Sequence, residues 1–216
     1  CIRDRAKITN EGTLSDNYDG DNLAIVIGKA AYDNKNVGTD KAVSFAGFEL
    51  SGSAAGNYKL ITQPADTTAD ITAKEITING ATVEGSKVYD GTVEAKITNA
   101  GTLSDNYDGE NLTIVAGLAV YDNKNVGTGK AVTFTGFALA GDAAVNYKLI
   151  AQPTDTTADI TVKEITISGA AVEASRIYNG TTDATITNAG TPSVNYDGEN
   201  LKVAAGKAAY DNKNVG

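Results

Sequence analysis

The residue types that carry most enzymatic chemistry are scarce in this chain. Its 216 residues include no His and no Met, and Cys1 is the single cysteine. Imidazole acid–base work and an internal disulfide therefore have no residues to use, and Cys1 is no credible thiol nucleophile. No Gly-x-Ser-x-Gly elbow offers a serine nucleophile. Oxygen donors are plentiful instead, and they gather in loops. Asp16-Asn17-Tyr18-Asp19-Gly20-Asp21-Asn22 sets carboxylates and amides around a glycine turn, the composition of Ca²⁺ loops. A second occurrence keeps Asp105, Asp108 and Glu110, and a third has Val194 where Asp105 stands. The closing bidentate Glu of an EF-hand is missing, so a solvated Asp-Gly turn is the simpler account and no metal ligand is assigned. Gly127-Thr128-Gly129-Lys130 has the flavour of a phosphate loop, but Ala131 stands where Ser or Thr is needed. The first occurrence, Gly38-Thr39-Asp40-Lys41, puts a carboxylate where a phosphate would sit. Lys124 and Asn125 beside Asp122 hold the groups of an intramolecular amide cross-link. Neighbours in one loop point apart, however, so a turn is the simpler reading. Tyr89, Tyr107, Tyr121 and Tyr147 complete the set. Such rings stack on sugars or fill interfaces; the plainer expectation has them capping the core with hydroxyls in water. No catalytic residue and no cofactor is assigned, and the expectation is that the chain is not an enzyme.

The elements that would position these loops read as strands. Val132 and Phe134 alternate with Thr133 and Thr135, as in a half-buried strand. The phase flips at Gly136, because Phe137 and Leu139 take the other parity, and Gly47 does the same between Phe45 and Phe48. A glycine at a phase flip predicts a β-bulge. Leu112-Thr113-Ile114-Val115 is another strand. Asn79-Gly80, Asp90-Gly91, Asp108-Gly109 and Asn179-Gly180 supply the positive φ of tight turns. Helical periodicity is lacking, apart from one turn near Gly141 to Ala144. In Asn146-Tyr147-Lys148-Leu149 a tyrosine enters a strand after a turn, similar to the tyrosine corner of immunoglobulin-like sandwiches. The fold expected is all-β: tandem small β-sandwich (Ig-like) modules, with a β-grasp-like or other small β module as the alternative.

The organisation is repetitive. Ile8-Thr9-Asn10 recurs at 97–99 and at 186–188, and Tyr32-Asp33-Asn34-Lys35-Asn36-Val37-Gly38 at 121–127 and 210–216, always 89 residues apart. That period exceeds a solenoid unit and suits a small domain. A switch of apolar parity at Lys74-Glu75, repeated at Lys163-Glu164, divides the chain into an N-terminally truncated copy (1–73), a complete copy (74–162) and a C-terminally truncated copy (163–216). Cys1 to Arg5 depart from the repeat, resemble a translated sequencing adapter and are read as an artefact. No Gly/Ser or Pro-rich linker separates the copies, so they are expected to abut.

The motifs Lys87-Val88-Tyr89-Asp90-Gly91-Thr92, Tyr121 to Lys130, Asn146 to Leu149 and Thr157-Ala158-Asp159-Ile160-Thr161 closely resemble the YDG-type tandem repeat of bacterial surface adhesins, filamentous-haemagglutinin-like or wall-associated. The resemblance covers nearly all of residues 6–216. It implies an extracellular or cell-surface location and a repeat or stalk role, with no catalytic residues to carry over. The third copy departs from the motif at Asn179, which still suits the turn.

Charge and hydropathy are consistent with this. A net charge of −9 opposes binding to nucleic acid and to anionic membrane surfaces. No run of about 18 apolar residues marks a membrane span. Apolar residues make up 41% and aromatics 6%, with no Trp, so the core is built mainly of Ile, Val, Leu and Ala. Three functions are expected from the sequence. The first is a structural stalk or spacer that holds a terminal binding domain away from the cell. The second is weak multivalent binding of host glycan or matrix protein by the repeats themselves. The third is an accessory region of a secreted enzyme. The partners expected in every case are neighbouring repeats of the same chain.

Overall fold

A computed structural model describes residues 4–18, 20–107, 109–196 and 198–215. Cys1, Ile2, Arg3, Asp19, Asp108, Asp197 and Gly216 lie outside them. The architecture is all-β. The helical turns among the described residues are two short 3-10 turns, Ala55–Asn57 and Ala144–Asn146, the second following the predicted turn. Among the described residues, no helix is long and apolar enough to cross a membrane. The chain forms two compact units, and the central copy is divided between them. One comprises Cys1–Ile78, Thr102–Val115 and Ala138–Gln152; the other comprises Asn79–Gly101, Ala116–Phe137 and Pro153–Gly216.

In the first unit, strands Arg5–Ala6, Lys29–Tyr32, Gly38–Ala46 and Thr67–Ile71 form a sheet in that spatial order. Val43 is buried on the strand Gly38–Ala46 while Ser44 beside it is exposed, the alternation the sequence predicts. Arg5–Ala6 pairs with Ala31 and Ala30, and the Tyr32 N–H donates to the Asp4 carbonyl at 2.7 Å. At Gly47, with φ +73°, the chain leaves this sheet, and Glu49–Ser51 pairs with Ala24–Val26 instead. The crossing is tight. A Cβ on Gly28 would lie 2.2 Å from the Ala46 carbonyl oxygen. The same unit holds a cluster from the central copy, in which Ile76, Leu112, Ala143 and Tyr147 are buried with Leu103, Leu139 and Ala144 packed against them. Strand Lys74–Ile76 pairs in parallel with Tyr147–Leu149, and Thr113–Val115 pairs with Ala138–Ala140.

The second unit is built on a five-stranded sheet in the order Ser86–Val88, Thr156–Thr161, Gly127–Thr135, Leu118–Tyr121, Glu94–Ala95. Its first pair is parallel and the rest are antiparallel. Val132, Phe134 and Ile160 are sealed in its core, and the Phe134 and Phe137 rings meet edge to face at 5.7 Å. The third copy contributes only short strand pairs, such as Ile167–Ser168 with Thr191–Pro192.

The expected bulges at Gly47 and Gly136 are corrected by this arrangement. Each glycine, at φ +73° and +72°, ends one strand, and the next strand pairs elsewhere. A bulge and a change of sheet produce the same flip in apolar parity, so the pattern alone does not separate them. In the long strands the register shifts lie instead at the start, between Gly38 and Lys41 and between Gly127 and Lys130, and the short pairs carry further ones at Ile97/Asn99 and Ala171/Val172.

Candidate functional site

The loop chemistry singled out from the sequence is largely spent on joining parts of the chain. In the Tyr89-Asp90-Gly91 turn the Asp90 carboxylate accepts from the Thr92 N–H (3.0 Å) and Thr92 hydroxyl (2.8 Å) and meets the Lys87 ammonium at 2.8 Å. Lys87 also donates to the Thr92 and Glu94 carbonyls and lies 5.5 Å over the Tyr121 ring. Burial pushes the Asp90 carboxyl up, but the Lys87 and Thr92 donors together outweigh it and hold its pKa at about 2. Gly91 adopts φ +79°, and a Cβ there would press on the Tyr196 side chain at 3.0 Å. The Tyr196 ring packs edge to face on Tyr89 at 5.6 Å. In the third copy Asn179 accepts from the Thr181 N–H and hydroxyl, both at 3.1 Å, so the amide performs the carboxylate's turn-forming part. Arg176 stands where Lys87 does and lies 4.8 Å over Tyr210.

The Asp-Asn-Lys-Asn loop closes on itself. Asp122 accepts from the Asn123 N–H at 2.9 Å and pairs with Lys130 at 2.7 Å. Asn123 accepts from the Asn125 N–H at 3.0 Å and from Lys130 at 2.8 Å. The Lys130 hydrogen bond holds the Asp122 carboxyl below its ordinary value, and Lys41 does the same for Asp33. The Gly129 N–H donates to the Asp159 carboxylate at 2.8 Å, and in the first copy the Asp40 N–H donates to Asp70 at 2.9 Å. The stretch considered for phosphate thus directs this N–H at a carboxylate of the protein's own.

Lys124, considered for a cross-link with asparagine, projects from this loop to Glu199 at 3.0 Å. Lys35, its counterpart in the first copy, reaches Glu110 at 2.8 Å. Both pairs join one copy to the next across the same interval of 75 residues. Beside the Lys35–Glu110 pair, the Val37 N–H donates to the Asn146 side-chain oxygen at 2.9 Å, and the Asn146 amide donates to Asn36 at 3.2 Å.

The acidic turn considered for Ca²⁺ is occupied in a similar way. Asp19 and Asp108 lie outside the described residues. Glu110 accepts from the Tyr147 hydroxyl at 2.6 Å as well as from Lys35, and Asp105 pairs with Lys74 at 2.6 Å. The Asp105 hydrogen bond raises the Lys74 pKa, and that ammonium lies 4.9 Å over the Tyr107 ring. In the first copy the Tyr58 hydroxyl donates to Asp21 at 2.5 Å, which raises the phenol's pKa. The tyrosine-corner expectation is met in altered form. The Tyr147 hydroxyl accepts from a backbone N–H, but that of Tyr107 at 3.3 Å, 40 residues upstream. Nor are the phenols simply wet. Tyr121 and Tyr147 are buried, and the Tyr121 hydroxyl donates to the Asp159 carbonyl at 3.2 Å.

Sequence reasoning overlooked the copy-to-copy pairs. The available signal was the recurrence of a lysine at 35, 124 and 213 together with an acid at 21, 110 and 199, each set in a loop. The chain matches the family described as YDG domain over residues 4–69, 72–158 and 161–216. No curated protein and no solved structure matches it.

Proposed function

Because the chain belongs to the YDG domain family, we propose that its repeats serve as structural stalk or spacer modules of a bacterial cell-surface adhesin, carrying a terminal binding domain away from the cell. The observation that supports this most is the repeated joint, in which Lys35–Glu110 and Lys124–Glu199 tie consecutive copies at one fixed spacing. A spacer needs joints of this kind more than it needs a pocket. The carboxylates and amides in these loops hold the chain's own lysines and backbone donors, so their chemistry is used for cohesion rather than for turnover. The net charge of −9 suits a solvated extracellular segment.

A second reading is favoured by the exposed tyrosines Tyr18, Tyr107 and Tyr178, rings of a kind that stack on glycans. One experiment separates the two. Whole 89-residue units are deleted from the array on the cell, and both the height of its terminal domain and adhesion are measured. A stalk predicts that height falls in equal steps while the isolated terminal domain binds as before. Unchanged height with adhesion falling in proportion to repeat number would reject the stalk and favour direct binding.

A further inference from the structure

Two strand pairs of the central copy run parallel, and both join its beginning to its end. Lys74–Ile76, the copy's first strand, pairs with Tyr147–Leu149. Ser86–Val88 pairs with Thr156–Thr161, its last strand. Parallel pairing decides how such a pair meets tension. A pull on the upstream end of the first strand and on the downstream end of the second slides the two past one another, so every cross-strand bond is loaded at once. In an antiparallel pair the two pulled ends lie together, and the bonds open one after another. The backbone reaches Lys74 from strand Thr67–Ile71 and leaves the copy after Thr161. Tension along the chain therefore acts in the sliding direction on both pairs.

Each pair is held by more than its ladder. The Ile150 N–H donates to the Ile76 carbonyl at 3.1 Å, one step beyond the three register pairs. Ile76 is 1% exposed in the cluster that holds Leu112 and Tyr147, so sliding would drag an isoleucine out of an apolar core. Lys148 meets Glu75 across the pair at 3.6 Å. At the second pair the Asp159 N–H donates to the Gly85 carbonyl and the Tyr89 N–H to the Thr161 carbonyl, both at 2.9 Å. The Thr161 hydroxyl donates to the Lys87 carbonyl at 3.2 Å, and the Lys87 ammonium is fastened to Asp90 at 2.8 Å. The two pairs interleave along the sequence, so residues 89–146 are enclosed by both. Glu110 and the loop that follows Tyr121 lie inside that stretch, and tension bypasses them while either pair holds.

We propose that these two parallel pairs are shear clamps, which make the copy resist lengthening under tension and shield residues 89–146 from load. The purpose rests on the spacer reading, since a spacer that carries adhesive load must not extend; the mechanics rest on the strand pairing alone. Forced unfolding is governed by the unfolding barrier and not by equilibrium stability. A short pair set on the load path can therefore give a module with a lean core a resistance that its equilibrium stability does not.

The test pulls the full 216-residue chain, carrying Cys1→Ser, by pairs of cysteine handles in single-molecule force spectroscopy. Thr72→Cys with Ala151→Cys grips the first pair at opposite ends and shears it. Thr72→Cys with Val145→Cys grips it at one end and unzips it. All three positions are exposed. Both geometries should release about 25 nm of chain, at about 3.5 Å per residue, which shows that each variant is folded. Shearing should need about three times the force of unzipping, because three register pairs bear the load together. Gly85→Cys with Val162→Cys, against Gly85→Cys with Asp155→Cys, makes the same comparison on the second pair. Equal forces in the two directions, or extension in shear without a resolved step, overturn the clamp at that pair. The two readings fail separately: equal forces leave the height of the array under repeat deletion untouched, and unchanged height there leaves the directional difference in force intact.

Discussion

Replacing Glu110 with alanine tests whether consecutive copies are energetically joined. The Glu110 side chain is 6% exposed, against 48% for Lys35. Its bond from the Tyr147 hydroxyl is short, at 2.6 Å, and lies on the buried side. A hydrogen bond to a charged group contributes about 1.5–3 kcal/mol. The bond to half-exposed Lys35 contributes about 0.2–1 kcal/mol, as solvent-screened pairs do. Glu110→Ala should therefore cost about 2–4 kcal/mol and Lys35→Ala no more than about 1 kcal/mol. The double variant should cost less than the sum of the two by roughly the Lys35 contribution. The measurement is urea unfolding followed by far-ultraviolet circular dichroism, since the chain has no tryptophan. Hydrogen exchange at Val37, whose N–H is held by Asn146 across the same joint, locates the effect. Strict additivity together with unchanged Val37 exchange would refute the joint, because the pair would then be no more than an incidental surface contact.

Three other perturbations probe different features. Asp40 occupies φ +49°, where the central copy has Gly129 at +58°; Asp40→Gly should stabilise the chain by about 1 kcal/mol in the same urea assay, and a loss of stability would contradict the strain argument. The Asp90 pKa of about 2 lies below its ordinary 3.8, so its stabilisation is present above about pH 4 and is lost as pH falls through 2. With that side chain 48% exposed, solvent screening reduces the effect to about 1 kcal/mol. Asp90→Asn should flatten this part of the acid limb in a pH titration of stability. Limited proteolysis should cut first within 163–216, where Ile177 is 91% exposed and strands are two or three residues long, and equal resistance of residues 74–162 and 163–216 would show that reasoning to be wrong.

Much of the local structure was legible because its causes are local. Alternation at Val132 and Phe134 announces the strand Gly127–Thr135. The turns at Gly80, Gly91 and Gly180 all have φ between +73° and +80°, as their Asn-Gly and Asp-Gly sequences require. Lys74 and Glu75, where the parity switches, open the strand Lys74–Ile76, which two residues separate from Thr67–Ile71. Which strand pairs with which was not legible. The pairing of Lys74–Ile76 with Tyr147–Leu149 spans more than 70 residues, and parity is silent about partners. The partners of the loop carboxylates were not legible for a related reason. Composition marks a solvated turn, and it does not show that Lys35, Lys74 and Lys124 come from distant parts of the chain to meet Glu110, Asp105 and Glu199.

The lean core and the interlocked copies have one physical origin. With aromatics at 6% and no tryptophan, a single copy has few large side chains from which to build its core. In the central copy the core cluster around Leu112 and Tyr147 is closed by Ile76 from the copy's own first strand, within the compact unit that also holds the copy before. The acid that anchors Tyr147 takes its ammonium partner from that preceding copy as well. Stability in such an array is a sum of weak units and strong nearest-neighbour terms. Fixed spacing is then a requirement of the packing. An insertion between Lys35 and Glu110 would move the lysine off its acid, and one between Ile76 and Tyr147 would move the strand off its partner. Three copies held to one interval of 89 residues are what such packing demands.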